Sequence, residues 1–120
     1  MDHEAHATTL EPVKTTRWYH LIAYVFGGIF LTNAIPHLVK GLSGEPFQSP
    51  FATPSGRGLS SSTVNTLWGM FNLIVAYGLT LKVGRFDLRR TAHAAALVVG
   101  ALLIGLMLAK HFGELHGGNL

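Results

Sequence analysis

The chain of 120 residues is rich in apolar side chains, with 48% hydrophobic and only 12% charged residues. Its length allows one domain, and apolar runs of roughly 20 residues indicate helices that span a membrane. The net charge of +3 is small and lies outside those runs, which argues against a nucleic-acid-binding protein. The absence of cysteine excludes disulfides, thiolate metal sites and a cysteine nucleophile.

The first 17 residues form a polar tail. Its first 11 residues carry acidic side chains where a signal peptide would carry basic ones, so we expect the first helix to be retained as an anchor. The terminal amine, Asp2 and His3 offer a square-planar set of nitrogens for Cu(II) or Ni(II), and His6 could add to it. The alternative is a solvated tail without a metal.

The remainder, residues 18–120, is predicted to be an all-α membrane domain. Its three transmembrane helices are expected at residues 18–40, 63–82 and 91–112. A long loop rich in Pro, Gly and Ser, residues 41–62, joins the first two helices. Phe47 and Phe51 in this loop either dip into the membrane interface or fold over the helix ends, and a lid is the functional alternative.

Polar residues interrupt the first apolar run near its end, at Asn33-Ala34-Ile35-Pro36-His37. Asn33 and His37 are four residues apart and therefore share one helical face. Pro36 has no N–H group, so in a helix it frees the carbonyl group of Thr32. Because buried polar groups need partners in a bilayer, this segment is the strongest site candidate that the sequence offers.

The second and third helices each carry a stripe of small or polar residues. On the second helix the stripe is Asn65, Gly69, Asn72 and Ala76; on the third it is Ala101, Gly105, Ala109 and Gly113. Such stripes are typical of close helix packing and should face protein. Three short helices should not bury both stripes well, so the sequence favours self-association or a larger membrane complex. A chain this short should also need other copies or subunits to enclose a binding site.

The basic residues predict the topology. The short link between the second and third helices is basic and should be cytoplasmic, which places the N-terminus inside and the C-terminus outside. The basic residues predicted to lie inside are Lys14, Arg17, Lys82, Arg85, Arg89 and Arg90, and those outside are Lys40, Arg57 and Lys110.

This topology brings polar residues of all three helices toward the outer half of the membrane. The predicted ligand-binding set is Asn33, His37, Asn65, Asn72 and His111. A hydrogen bond between Asn33 and Asn72 is expected from their similar depth. The structural alternative is that the two asparagines only hold the helices together.

Histidines support two further interpretations. His37, His111, Glu114 and His116 form a candidate ligand set for zinc, copper or iron, unless these histidines only sit at the interface. His20 and His93, with His37 and His111, form two levels of paired histidines that could hold haem b, and Gly100 could leave room for a macrocycle. The aromatic belt at Trp18 and Tyr19 explains His20 without haem.

Three segments, residues 33–37, 44–52 and 61–69, resemble a family of small uncharacterised bacterial integral membrane proteins. The resemblance covers roughly residues 20–80 and implies an inner-membrane protein of a prokaryote, without an assigned activity. A fainter similarity to DoxX-like membrane proteins rests on an apolar helix ending in His37-Leu38. That group usually has four helices, whereas this chain predicts three.

The leading functional hypothesis is a small inner-membrane protein, oligomeric or part of a complex, that binds or passes a small ligand at the outer polar cluster. The alternatives are a metal- or haem-binding redox subunit and a purely structural subunit. The sequence contains no nucleophile–base–acid set, phosphate loop or acidic pair, so it favours a non-enzymatic role.

Overall fold

A computed structural model describes residues 15–120. The three helices are α1 (Trp18–Leu42), α2 (Ser62–Tyr77) and α3 (Thr91–His116), and a π-helical turn, Gly78–Lys82, continues α2. By length and composition all three, with the turn counted as part of the second, are able to cross a membrane. The prediction of three membrane-compatible helices is therefore confirmed, and α3 ends four residues later than expected.

Helix α1 is the central helix of the bundle, because α2 and α3 both pack against it and scarcely touch each other. Two adjacent glycines explain this arrangement. Gly27 faces Thr80 beyond the end of α2, whereas Gly28 faces the carbonyl group of Leu97 in α3. Gly100 of α3 makes the reciprocal approach to the carbonyl group of Val25. A Cβ atom on Gly28 or Gly100 would clash with the facing backbone, so these glycines allow the close crossing of α1 and α3.

The polar stripe of α2 faces α1. Its four residues are all buried, and Leu38 of α1 packs over Gly69. Burying polar side chains between helices keeps them away from lipid, where each would lack a partner. The prediction that this stripe faces protein is confirmed.

The small-residue stripe of α3 is divided between different surroundings. Ala101 and Gly105 lie near α1, at Gly28 and Thr32, whereas Ala109 is exposed and Gly113 is covered by Asn119. This single chain therefore already uses much of the stripe. Helix α1 covers the stripe of α2 and part of the stripe of α3, and the expectation of self-association or a larger complex stays a prediction.

The segment between α1 and α2, residues 43–61, contains a small antiparallel hairpin that the sequence did not predict. Its strands are β1 (Phe47–Gln48) and β2 (Leu59–Ser60), with Phe47 opposite Ser60. The hydroxyl groups of Ser49 and Ser60 share a hydrogen bond of 2.6 Å, and the backbone N–H of Gly56 donates to the carbonyl oxygen of Ser49 at 2.8 Å. These bonds hold the segment over one end of the bundle, which we call the hairpin end.

The opposite end carries the link between the second and third helices, residues 83–90, and we call it the link end. Between the two ends the exposed side chains are apolar, as lipid contact requires. On α3 they include Val98, Val99, Leu102, Leu103, Leu106 and Met107. Trp18, exposed by 73%, marks the start of α1 at the link end.

Candidate functional site

A cavity of about 300 Å³ lies at the hairpin end of the single chain. All three helices and the hairpin contribute to its walls, which include Asn33, His37, Gln48, Trp68, His111 and Phe112. Most of this lining is aromatic or aliphatic, with a few polar groups between, as in many small-molecule sites. A single chain therefore forms a cavity of this size, and the expectation that a binding site needs other copies stays a prediction.

His37 is the most constrained of the polar lining residues, with 3% of its surface exposed. Its Nδ1 lies 2.7 Å from Oδ1 of Asn65. The Nδ2 group of Asn65 donates to the carbonyl oxygens of Phe47, Ser60 and Ser61 at 2.9, 3.2 and 3.1 Å. Since the remaining Oδ1 can only accept, His37 must carry its proton on Nδ1. In the neutral ring Nε2 is then an acceptor, and no residue in the range 15–120 donates to it.

Trp68 forms another wall of the cavity and carries an unpaired polar atom. Its Nε1–H group is the one buried side-chain polar atom without a hydrogen-bond partner in the described part of the chain. The indole ring stacks on Phe71 with 5.6 Å between centroids and meets the edge of Phe51 at 5.1 Å. A fixed indole with an unpaired donor is unusual in a protein interior, where such groups normally find a partner.

The two asparagines of α1 and α2 form the predicted bond. Asn33 Nδ2 donates to Asn72 Oδ1 at 3.1 Å, and Asn72 Nδ2 donates to the carbonyl oxygen of Trp68 at 2.7 Å. Asn72 is fully buried and does not line the cavity, whereas Asn33 does. Of the predicted binding set, Asn33, His37 and His111 therefore line the cavity. Asn65 does not line it but bonds to His37, and Asn72 does not line it but bonds to Asn33.

The remaining predicted metal ligands fasten the hairpin to α3. Nε2–H of His111 donates to the carbonyl oxygen of Gly56 at 2.6 Å, and Nε2–H of His116 donates to Oε1 of Gln48 at 3.1 Å. Glu114 pairs with Arg57 at 3.6 Å. Over residues 15–120, no three His, Asp or Glu side chains are arranged to hold a metal ion. The geometry gives the four-residue metal set no support, and the proposed copper site at Asp2 and His3 lies outside the described residues.

Phe47 and Phe51 have different surroundings. Phe47 is buried under the hairpin, with its ring 4.7 Å from Phe112 and 5.6 Å from His37. Phe51 remains 64% exposed beside Trp68. The prediction that these residues fold over the helix ends holds for Phe47. The roles of Trp68 and Phe112 were missed, because aromatic residues near a helix end usually indicate a membrane interface.

The paired-histidine arrangement for haem meets a steric obstacle. Gly100 leaves no room for a macrocycle, since the carbonyl group of Val25 occupies the space beside it. At the link end, His93 uses both ring nitrogens: Nδ1 accepts from the backbone N–H of Asp87 at 3.0 Å, and Nε2–H donates to Oγ1 of Thr16 at 2.9 Å. The argument that Gly100 makes space was wrong, and His93 offers no nitrogen for iron.

No protein-family model, curated protein or solved structure matches this chain. The argument for function therefore rests on the residues and on the geometry of the cavity.

Proposed function

We propose that this is a membrane protein that binds a small, mainly apolar molecule carrying one hydroxyl group in the cavity at the hairpin end. The observation that supports the proposal is the buried His37 ring, whose Nδ1–H is held by Asn65 while Nε2 stays unpaired at the cavity. Because Nε2 is an unprotonated acceptor without a partner, we expect it to accept a hydrogen bond from a ligand.

The unpaired donor on Trp68 complements this acceptor. A hydroxyl group both donates and accepts, so one ligand oxygen would donate to Nε2 of His37 and accept from Nε1–H of Trp68. The aromatic side chains around them, including Phe112, would hold an apolar ring or chain. An alcohol therefore suits the lining better than a charged molecule, since among residues 15–120 histidine is the only acidic or basic residue type that lines this cavity.

The proposal is tested with cyclohexanol and methylcyclohexane, which differ by a hydroxyl group in place of a methyl group. The chain has two tryptophans, so the Trp18→Phe variant leaves Trp68 as its single indole reporter. In mild detergent, cyclohexanol is expected to shift the Trp68 emission saturably, and methylcyclohexane is expected to bind about tenfold more weakly.

Substitution of His37 separates binding from partition into detergent. His37→Phe keeps an aromatic ring but removes both nitrogens, so the advantage of cyclohexanol should disappear. His20→Phe, at the link end, is the matched control and should leave the emission shift unchanged. Equal binding of the two probes to the unaltered His37 protein would refute the proposal.

We further propose a bacterial inner-membrane location with the N-terminus inside and the C-terminus outside, supported by the bias of basic residues toward the link end. Because the chain lacks cysteine, single cysteines report topology without interference. Leu120→Cys in intact spheroplasts should react with a membrane-impermeant maleimide, whereas Arg89→Cys should react only after lysis. The opposite pattern would reverse the assignment.

Self-association or membership of a larger complex remains part of the proposal, now supported by the exposed apolar face of α3 alone. Native mass spectrometry in mild detergent and crosslinking in native membranes would test it. A monomer without partners in both measurements would leave ligand binding by a single chain.

A further inference from the structure

Two further spaces lie between the side chains of the bundle, besides the cavity at the hairpin end. One is a cavity of about 630 Å³ at the link end, whose walls include Tyr24 and His93. The other is a groove of about 310 Å³ on α2, near the hairpin. Trp68 lines both this groove and the cavity at the hairpin end, so these two spaces adjoin each other.

The groove on α2 is lined by apolar side chains. Within residues 15–120 these are Phe51, Val64, Leu67, Trp68 and Phe71. The four that belong to α2 are spaced three or four positions apart, so they share one face of the helix. Leu67 and Phe71 are exposed, as side chains in contact with lipid are. Residues 64–71 cover about 10 Å along the helix axis, so the groove extends from the hairpin toward the hydrocarbon region.

Trp68 forms the boundary between the groove and the cavity. Its ring stacks on Phe71, and the edge of Phe51 covers it at 5.1 Å between centroids. Phe51 belongs to the hairpin and is exposed, so no packing on its outer side prevents its ring from turning away from Trp68. Such a turn would open a passage between the cavity and the membrane-facing groove.

The cavity at the hairpin end limits the size of a ligand that it encloses completely. Its volume of about 300 Å³ is at the lower end for small-molecule sites. Ser49 and Gly56 of the hairpin lie over it, and the carbonyl oxygen of Gly56 accepts a hydrogen bond from His111. A ligand larger than cyclohexanol would therefore extend away from the hairpin, and the groove on α2 is the adjoining apolar space.

We infer that the ligand is an alcohol dissolved in the membrane, whose hydroxyl group binds His37 in the cavity and whose alkyl chain lies in the groove on α2. This inference rests on the proposed function and adds the class of ligand, an amphiphile that enters from the bilayer. Lipid tails are as apolar as the groove, so the chain alone gives little preference over lipid. The preference comes from the hydroxyl group, which the acceptor on His37 distinguishes from a methyl group.

Photolabelling of the full chain in liposomes tests the inference. One probe is hexadecanol with a diazirine group in the middle of its chain. The other is heptadecane with the same diazirine, which has a methyl group in place of the hydroxyl group. At equal mole fraction in the membrane, the alcohol should label residues 63–71 about tenfold more, the effect of one hydrogen bond. Both probes should label the exposed face of α3, at Leu102 and Leu106, equally.

Two substitutions connect the labelling to the site. Val64→Phe fills the groove with a larger side chain and should remove the excess labelling by the alcohol. Val98→Phe is the matched control at an exposed position of α3 and should retain the excess. His37→Phe should remove it as well, because the acceptor in the cavity is lost. Circular dichroism should show unchanged helix content in the two valine variants, since both positions are exposed.

The outcomes separate this inference from the proposed function. Equal labelling of residues 63–71 by the two probes, in a protein that prefers cyclohexanol to methylcyclohexane, would overturn the inference and leave the proposed function standing. Excess labelling that persists in His37→Phe, or that Val98→Phe also removes, would overturn it too. No labelling of the groove by either probe would mean that another protein surface covers it, which likewise overturns the inference. Absence of both preferences would refute the proposed function together with the inference.

Discussion

Asn65 should be the polar side chain whose loss most destabilises this membrane protein. It is fully buried, and its carboxamide joins α1 and the hairpin to α2 through four hydrogen bonds. Asn65→Leu keeps a similar volume but removes all four. It also leaves Nδ1–H of His37 unpaired in the interior, which adds the desolvation cost of an orphaned donor.

The size of the effect follows from these contacts. Hydrogen bonds between membrane helices average ~0.6 kcal/mol, and an orphaned buried donor costs ~1–3 kcal/mol. Three bonds at this average and one orphaned donor predict a loss of about 3–5 kcal/mol in the free energy of unfolding. Asn72→Leu is the matched control on the same helix, because Asn72 is equally buried but forms two bonds. Its loss should be about 1 kcal/mol.

The assay is unfolding by sodium dodecyl sulfate in mixed micelles, followed by far-ultraviolet circular dichroism. Asn65→Leu should lower the midpoint well below that of Asn72→Leu. If Asn72→Leu proved as damaging as Asn65→Leu, the hairpin would not be tied to the bundle through Asn65. The account of how His37 keeps its proton on Nδ1 would then be refuted as well.

Three further substitutions probe other parts of the structure. Gly100→Ala places a methyl group against the carbonyl group of Val25 and should lower the free energy of unfolding by about 1–3 kcal/mol in the same titration. The control Gly78→Ala meets open space and should be neutral or slightly stabilising. Equal effects of the two variants would contradict the close crossing of α1 and α3. His37→Ala should abolish cyclohexanol binding in the tryptophan-emission assay and leave crosslinked assemblies unchanged; the reverse pattern would make His37 a purely structural residue. Phe47→Ala removes a buried ring and should lower the free energy of unfolding by about 3 kcal/mol, which is detected as faster proteolysis of the hairpin. Proteolysis at the rate of the unaltered protein would show that polar bonds alone hold the hairpin.

The sequence was sufficient for the helices and for the buried face of α2, because both depend on local periodicity. Three apolar runs have to become membrane helices, and the stripe from Asn65 to Ala76 has to avoid lipid. The bond between Asn33 and Asn72 followed from depth alone. These predictions needed no knowledge of which helix is central.

The hairpin and the cavities could not be predicted in the same way. Strands of two residues carry no alternating pattern, and their pairing depends on side-chain bonds such as that between Ser49 and Ser60. Both cavities depend on which helix lies in the middle. Gly27 and Gly28 together determine the central helix, because they face different neighbouring helices. In the sequence each glycine alone indicates only a small residue, which is common in membrane helices. The cavity at the link end, whose lining includes Tyr24 and His93, was missed for this reason.

The central position of α1 accounts for the location of both cavities. Since α2 and α3 scarcely touch each other, their mutual distance is not fixed by packing along the membrane. It is fixed at the two ends, by the hairpin bonds from His111 and His116 at one and by the link at the other. Each cavity lies where a connecting segment, the hairpin or the link, meets the ends of the helices. Among residues 15–120 the cavity at the hairpin end is lined by aromatic, aliphatic and neutral polar side chains together with two histidines, whereas the lining at the link end includes Lys82, Arg90 and Asp87, so the two cavities differ in chemical character.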